Sequence, residues 1–275
     1  MEFEKFMNTL ENKSENTKKV YSRQYHKLQK FLNANIADTP NSSIIDACEL
    51  VENSNSRAQV LNIGILIKKM ESQDYAELEK FRDTTKQNIQ AHLESKNNLL
   101  ANTLPEVNDI LNYTQQLFNT KQYRKYVINY LLCNFFVRNE DLDLEIINKK
   151  SELNDKDNFL LIQQRPARVV FIRNRYKTHH RYGKKEFVIE DKQFYKAITK
   201  IGSGEMLCNT QSPSWFVKRA TYNDIGEGNY VKIFINAIRD SGKLNELHKI
   251  SDRRGTSVNV LVNSYNIHVG QDDDF

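Results

Sequence analysis

Three short apolar runs, at residues 159–162, 169–172 and 187–189, interrupt a chain whose apolar residues otherwise recur at helical spacing. Each run is three or four residues long and bounded by polar segments, a pattern that predicts strands. Elsewhere the chain has few residues that break a helix, with only 9 glycines and 4 prolines in 275 residues. We therefore predict a mainly α fold with a small antiparallel three-stranded sheet, an α+β protein.

The first hundred residues predict a helical domain. Ser14 is a candidate N-cap, since its hydroxyl can accept a hydrogen bond from a free amide of the first helical turn. After it, one apolar stripe recurs at helical spacing, made of Val20, Tyr21, Tyr25, Leu28, Phe31 and Leu32. A polar stretch closed by a proline, residues 95–105, predicts a linker. The predicted domains are therefore 1–100 and 104–275.

The second domain is predicted to form around one very apolar helix. Its apolar residues between Tyr123 and Phe136 lie on most sides of a helix, which is typical of a helix at the centre of a core. A polar segment, Arg138 to Leu142, follows it directly. Between the last two predicted strands, residues 176–183 predict a polar hairpin tip. Residues 270–275 form an acidic tail.

Composition and charge exclude several classes of protein. The net charge of +5 is compatible with a nucleic-acid partner but does not establish one. Cys48, Cys133 and Cys208 are odd in number and have no metal spacing, so we expect reduced, buried thiols in an intracellular compartment. No apolar segment is long enough for a membrane span, and the start lacks a secretory signal. The His179-His180 pair has no third ligand at a metal spacing, so neither a metal site nor a cofactor is expected.

A tyrosine lies near the end of this basic chain, on a helix-length segment that begins with an Arg-Gly-Thr-Ser turn at residues 254–257. The segment resembles the last part of the tyrosine recombinases, the phage-integrase family, in which a short turn precedes a helix and the nucleophilic tyrosine. The resemblance extends over nearly the whole chain. It implies a helical core-binding domain at 1–100 and a recombinase-like catalytic domain at 104–275.

Metal-free cleavage of a DNA phosphodiester needs a nucleophile, cations for the non-bridging oxygens and an acid for the leaving 5′ oxygen. The resemblance assigns Tyr265 as the nucleophile, Arg138 as the first catalytic arginine and Lys177 as the general acid. Each residue also has a structural interpretation. Arg138 could cap its helix, Lys177 could lie in a solvated turn, and Tyr265 could pack on an amphipathic helix.

The second catalytic arginine of the family has no clear counterpart. The helix predicted near residues 228–235 offers Lys232 but no arginine, and Arg239 is an alternative. Another alternative is His248 with Arg253 or Arg254. Arg254 and Tyr265 are 265 − 254 = 11 residues apart and would share a face of an unbroken helix, but Gly255 is expected to break it. Thr256 occupies the place of the family's histidine or tryptophan and cannot carry a charge.

The sequence thus predicts a DNA strand-exchange enzyme that binds double-stranded DNA, with a homotetramer implied by the resemblance. The predicted phosphate contacts are basic residues of the first domain together with one of the second: Lys18, Lys19, Arg57, Lys68, Lys69 and Arg175. Two rival hypotheses are a DNA-binding protein of the same fold without catalysis and a helical protein with a protein partner. The composition, rich in Asn and Lys and poor in Gly, suggests an AT-rich source such as a large DNA virus or mobile element. The segment at Trp215 and Phe216 predicts a helix start packed into the core rather than a base-stacking site.

Overall fold

The structure is a computed structural model that describes residues 2–101, 103–210 and 212–265. The acidic tail predicted at 270–275 lies outside the described residues. The chain divides into two compact units, Met1–Lys96 and Asn97–Phe275. Within the described residues, no helix is long and apolar enough to cross a membrane.

The first unit is helical. Its helices are α1 Glu2–Asn8, α2 Glu15–Leu32, α3 Asn41–Glu49, α4 Ser54–Met70 and the greater part of α5 Ala76–Ala101. The predicted cap is confirmed, because Ser14 Oγ accepts from the Thr17 amide at 3.2 Å and α2 begins at the next residue. Tyr25, Leu28 and Ile44 are among the buried residues of the core of this unit.

The prediction of a linker from residue 95 is wrong in its first half. The helix α5 continues through this segment to Ala101. Its last turns are polar but contain no glycine or proline, and polar residues such as Glu, Lys and Asn do not end a helix by themselves. Pro105 follows before the next helix begins.

The second unit combines helices with a sheet. Its helices are α6 Val107–Asn119, α7 Tyr123–Phe135, α8 His179–Tyr182, α9 Lys192–Ile201, α10 Pro213–Ala220, α11 Glu227–Asp240, α12 Asn245–Arg254 and α13 Val258–Tyr265. Its strands are β1 Leu144–Ile147, β2 Asn158–Gln164, β3 Ala167–Arg173, β4 Lys185–Ile189 and β5 Glu205–Met206. The helix α7 has most of its residues buried, which confirms the prediction of a central helix.

The sheet is five-stranded and mixed, which corrects the prediction of three antiparallel strands. The strand order is β4-β3-β2-β1-β5, with β1 parallel to β2 and every other pair antiparallel. The three predicted runs correspond to β2, β3 and β4. The four residues of β1 follow a 3₁₀ turn at Asn139–Leu142, and this run was assigned to the end of the preceding helical region. The two residues of β5 are exposed and carry no apolar signal.

The two faces of the sheet bury different residues. Leu160 and Phe171 point into the main core with α7 and α9, where Phe135 lies 5.6 Å from Phe171, measured between ring centroids. Phe159 and Ile172 lie in a smaller cluster on the other face, as the two-residue period of a strand requires. A third cluster, which includes Phe136 and Leu261, packs α11, α12 and α13 around the end of α7. This cluster fixes the C-terminal helices beside the segment that carries Arg138.

Candidate functional site

The C-terminal end of α7 is held by two arginines from α12. Phe136 adopts a left-handed conformation with φ 52°, which ends the helix. Arg253 Nη1 donates to the Asn134 carbonyl at 2.7 Å, and Arg254 Nη1 donates to the Phe136 carbonyl at 2.6 Å. Carbonyls at a helix end lack partners within the helix and carry partial negative charge, so guanidinium groups stabilise them.

Arg254 is buried, with 2% of its surface exposed, and is paired with a carboxylate. Its Nη2 atom lies 2.5 Å from Oε1 of Glu227, at the start of α11. Burial alone would lower the pKa of Arg254, but the charge of Glu227, together with Tyr265, raises it above the ordinary value. Arg254 is therefore a permanent buried cation.

Tyr265 contacts the same arginine. Arg254 Nη2 donates to Tyr265 Oη at 2.7 Å, and the guanidinium lies 5.0 Å from the centroid of the tyrosine ring. The tyrosine is half-buried at the end of α13, and Asn236 Nδ2 donates to its carbonyl at 3.2 Å. Gly255 does end α12, with φ 65°, as predicted. The two side chains nevertheless meet, because α13 packs back across the break.

A second buried ion pair lies beside this one. Arg173 Nη2 is 2.6 Å from Oδ2 of Asp141, and neither side chain is exposed. Burial raises the pKa of Asp141 although the charge of Arg173 opposes it, and burial lowers the pKa of Arg173. Arg173 Nη1 also donates to the Arg253 carbonyl at 2.5 Å, and its guanidinium lies 4.4 Å from the ring centroid of Tyr176. The pair thus connects β3 to the end of α12.

The structure gives Arg173 a role that the sequence interpretation missed. It was noted only as a basic neighbour of Lys177. The signal that could have found it is a charged residue at the end of an otherwise apolar run, where the period of the strand points it inward.

Arg138 joins the two ion pairs. Its backbone N–H donates to Asp141 Oδ2 at 2.7 Å, and its Nη1 donates to the Arg254 carbonyl at 3.1 Å. The side chain is half-buried, and this is its one hydrogen bond to a described residue. The rest of its guanidinium can therefore donate to a ligand. The predicted capping role is partly present, since Asp141 does bind the Arg138 amide.

The cluster has an excess of positive charge. Four arginines, residues 138, 173, 253 and 254, lie with two carboxylates, Asp141 and Glu227, which leaves 4 − 2 = 2 positive charges. Arg173 and Arg254 are neutralised and buried, whereas Arg138 and Arg253 are half-exposed. An anion that approaches this cluster would meet Arg138 and Arg253 first.

Lys177 lies near the cluster through its neighbours. It is exposed and makes no ion pair with another described residue. Thr178 Oγ1 donates to the Gly255 carbonyl at 2.5 Å, which connects the lysine's segment to the turn between α12 and α13. The segment is not the fully polar hairpin tip that the sequence predicted, because Tyr176 is buried and residues 179–182 form the single turn α8. Arg175 is exposed and pairs with Asp143 at 2.7 Å.

The remaining candidates for the second arginine box lie in other surroundings. Lys232 Nζ donates to Asn97 Oδ1 at 2.8 Å, and His248 is exposed on α12. Arg239 lies near the end of α11. Thr256 is buried, and its amide bonds the Ser251 carbonyl as part of the helix end. Of the alternatives, the structure brings only Arg254 into contact with Tyr265 among the residues that it describes.

The predicted DNA contacts of the first unit differ in their accessibility. Lys19 is exposed, Lys18 pairs with Glu15 at 2.9 Å, and Lys69 pairs with Glu79 at 3.1 Å. Arg57 is half-buried, and its Nε donates to the Val51 carbonyl at 3.1 Å.

Lys68 does not fit the predicted role. It is 6% exposed, its ammonium donates to the Ala37 carbonyl at 2.7 Å, and burial lowers its pKa. A buried ammonium that satisfies a loop carbonyl cannot also reach a phosphate, so this prediction is corrected.

In the described part of the chain, no group of three or more His, Cys, Asp or Glu side chains could hold a metal ion. No family model matches the chain, and no curated protein matches it. Among solved structures, the crystal structure of XerA recombinase matches over 99% of this chain and 94% of that chain, with 12% identity and a TM-score of 0.36. The proposed function therefore depends on the contacts of the arginines and of Tyr265.

Proposed function

We propose that this chain binds double-stranded DNA and breaks and rejoins one strand through a phosphotyrosyl intermediate on Tyr265. The observation that supports the proposal is the hydrogen bond from Arg254 Nη2 to Tyr265 Oη at 2.7 Å. A phenol is a weak nucleophile until it loses its proton, and a buried guanidinium at its oxygen stabilises the phenolate. Because Glu227 holds Arg254 in place, this donor is already oriented before substrate binds.

The other roles follow from what each side chain can donate. Arg138, whose guanidinium keeps free donors, would bind the non-bridging oxygens of the scissile phosphate. Tyr265 Oη would attack phosphorus, so that an Oη–P bond forms as the bond from phosphorus to the 5′ oxygen breaks. Lys177 would give its proton to that leaving oxygen, and the proton of Tyr265 would pass to solvent. Attack by the 5′ hydroxyl in the reverse sense reseals the strand without ATP.

Partner and assembly are parts of the same proposal. Phosphate contacts by Lys18, Lys19 and Lys69 would position the DNA without reading its sequence. Arg57 and Arg175, which bind groups of the protein, would contribute only by exchanging those partners for phosphate. A homotetramer on two DNA sites remains a prediction of the resemblance to tyrosine recombinases.

A second candidate function is DNA binding without catalysis, and one observation favours it. The Nη atoms of Arg254 are occupied by the Phe136 carbonyl, Glu227 and Tyr265, and Thr256 is buried. A phosphate would then have Arg138 and Arg253 as ligands but no second buried arginine. Such a site binds an anion but gives less stabilisation to the charge of a transition state.

Covalent trapping tests the two candidates. The protein is incubated without metal with a pool of nicked duplex oligonucleotides and with supercoiled plasmid, which does not require one defined site. Adducts that survive SDS are digested, and the peptide that carries the nucleotide is identified by mass spectrometry. The proposal predicts an adduct on the peptide that contains Tyr265, lost in Tyr265→Phe and kept in Tyr195→Phe, which alters another half-buried tyrosine.

The remaining outcomes separate the candidates. DNA binding that weakens steeply with salt, without any adduct, would support the second candidate. In that case Arg138→Gln should weaken binding while Tyr265→Phe should leave it unchanged. An adduct on another residue contradicts the assignment of Tyr265. Absence of salt-sensitive DNA binding contradicts both candidates and favours a protein partner.

A further inference from the structure

Trp215 lies on the surface of α10, with 58% of its area exposed. It is the only tryptophan in the chain. Tryptophan is on average a well-buried residue, so an exposed ring of this size is informative. The sequence analysis expected this ring in the core, and the structure corrects that expectation. The core side of the helix is formed instead by Val217 and Ala220, which are 0% and 1% exposed.

The helix itself is firmly placed. Pro213 begins it, a position that suits the fixed φ of proline, and Phe216 packs against the main core. The Ala220 carbonyl, at the other end, accepts from Asn129 Nδ2 at 2.8 Å, and Asn129 is fully buried on α7. Trp215 is therefore presented on a fixed support rather than on a loose loop.

The exposed charges beside Trp215 on this helix are cationic. The Arg219 guanidinium lies one turn away, 5.7 Å from the centroid of the tryptophan ring, at a distance that permits a cation–π interaction. Arg219 is 63% exposed, and its Nη1 lies 3.6 Å from Oδ2 of Asp224. Lys218 is exposed and has no ion-pair partner among the described residues. An aromatic ring with two exposed cations suits a ligand that has both a flat ring and negative charge.

We propose that Trp215, Lys218 and Arg219 form a binding site for an unpaired nucleotide. The base would stack on the indole ring, and Lys218 and Arg219 would contact its flanking phosphates. Base pairs of an intact duplex present their faces only to one another, so the site requires a single strand or a base displaced from the helix. The site does not depend on the chemistry of Tyr265 and would act on a different form of DNA or on RNA.

The single tryptophan gives a direct measurement. Fluorescence of the full chain reports on Trp215 alone, and stacking of a base on indole quenches it. We expect saturable quenching by single-stranded oligothymidine of about ten nucleotides, within the site sizes of known stacking grooves. A duplex of the same length should bind without quenching. Added salt should weaken binding because the phosphate contacts release counterions.

Substitutions separate stacking from charge. Affinity for a labelled oligothymidine, measured by anisotropy, should fall about 5-fold to 150-fold in Trp215→Leu, the range that corresponds to stacking of one base. Trp215→Phe keeps an aromatic face and should lose less. Lys218→Gln and Arg219→Gln should lower affinity while quenching at saturation remains. The charge-matched control is Lys200→Gln on α9, an exposed lysine that should have no effect. Far-UV circular dichroism checks that each variant folds.

Three results would overturn the proposal. Equal quenching by duplex and single strand would mean that the cations bind phosphate without a stacked base. Unchanged affinity in a folded Trp215→Leu variant would remove the ring from the site. Self-association that depends on Trp215, without quenching by oligonucleotides, would assign the surface to a protein contact. Each result is independent of whether Tyr265 forms an adduct.

Discussion

Arg254 and Tyr265 form a hydrogen bond of 2.7 Å although Gly255 separates them into two different helices. The bond exists because α13 packs back against α11 and the end of α7 through Leu261 and its neighbours. Glu227 binds the same Nη2 atom on the other side. The tyrosine hydroxyl therefore lies at the edge of a buried ion pair, where the position of the cation is fixed by the fold.

Arg254→Met tests how much this ion pair stabilises the second unit. Removing one partner of a buried pair leaves the other charge without compensation, which typically costs about 3–5 kcal/mol. Tyr265→Phe removes one hydrogen bond and should cost only about 0.5–1.5 kcal/mol. Urea unfolding monitored by circular dichroism gives both values. The control is Arg253→Met, a half-exposed neighbour that should cost about 1 kcal/mol, and equal losses in Arg253→Met and Arg254→Met would contradict the prediction.

Asp141→Asn tests the second buried pair. Arg173 would then be a fully buried cation without a counter-charge, and we expect the free energy of unfolding to fall by about 3–5 kcal/mol. The double variant Asp141→Asn with Arg173→Met should lose less than the sum of the two single variants, because neither charge is then left unpaired.

The matched control for Asp141 is Asp143→Asn, two residues away. Its partner Arg175 is 59% exposed, and an exposed ion pair contributes about 0–1 kcal/mol. Losses of the same size at positions 141 and 143 would show that burial does not determine the strength of these pairs.

Gly255→Ala tests the turn between α12 and α13. A Cβ atom at this position would lie 2.7 Å from Cε2 of the buried Tyr176, in addition to the strain of φ +65°. Gly242 has nearly the same φ, +68°, but nothing within 4 Å of its added Cβ atom. We expect Gly242→Ala to cost about 1–2 kcal/mol from backbone strain alone, and Gly255→Ala to cost about 1–3 kcal/mol more from the close contact.

Thermal or urea unfolding of the two glycine variants measures the difference directly. If Gly255→Ala is no more destabilising than Gly242→Ala, Tyr176 moves aside at little cost. In that case the contact between the Lys177 segment and the helix break is looser than the structure shows.

The sequence predicted the elements that have strong local signals. The N-cap at Ser14, the apolar helix α7 and the runs of β2, β3 and β4 all follow from spacing and residue type within a few turns. The strands β1 and β5 were missed because they are short and are stabilised by pairing with residues distant in the chain. Hydrogen bonds of this kind leave no period in the local sequence.

The site was harder to predict for a related reason. The breaking of the last helix at Gly255 was foreseen, but the consequence drawn from it, that Arg254 and Tyr265 could no longer share a face, was wrong. The contact depends on how α13 folds back, which is decided by packing with α11. Arg173 was missed, and Lys68 was assigned to phosphate, because a charged side chain in the sequence carries no mark of whether it is buried.

Cys48, Cys133 and Cys208 are free and buried, as expected from the sequence. Burial raises the pKa of each thiol from its ordinary value of 9.0 to about 12. Since the thiolate is the reactive form, we expect Ellman's reagent to leave the native protein unmodified at about pH 8 and to modify all three thiols once urea unfolds it. Ser214→Cys, at an exposed position on α10, supplies the positive control.

The same shift has a direction in pH. The folded thiols keep their protons to higher pH than the unfolded ones, so their contribution to stability is complete below pH 9.0, the ordinary pKa, and falls as pH rises toward about 12. Replacing all three cysteines with alanine should therefore make the free energy of unfolding less dependent on pH in that range. Rapid modification of a native thiol near pH 8, at the rate of the Ser214→Cys control, would show that at least one of these cysteines is accessible and contradict the prediction.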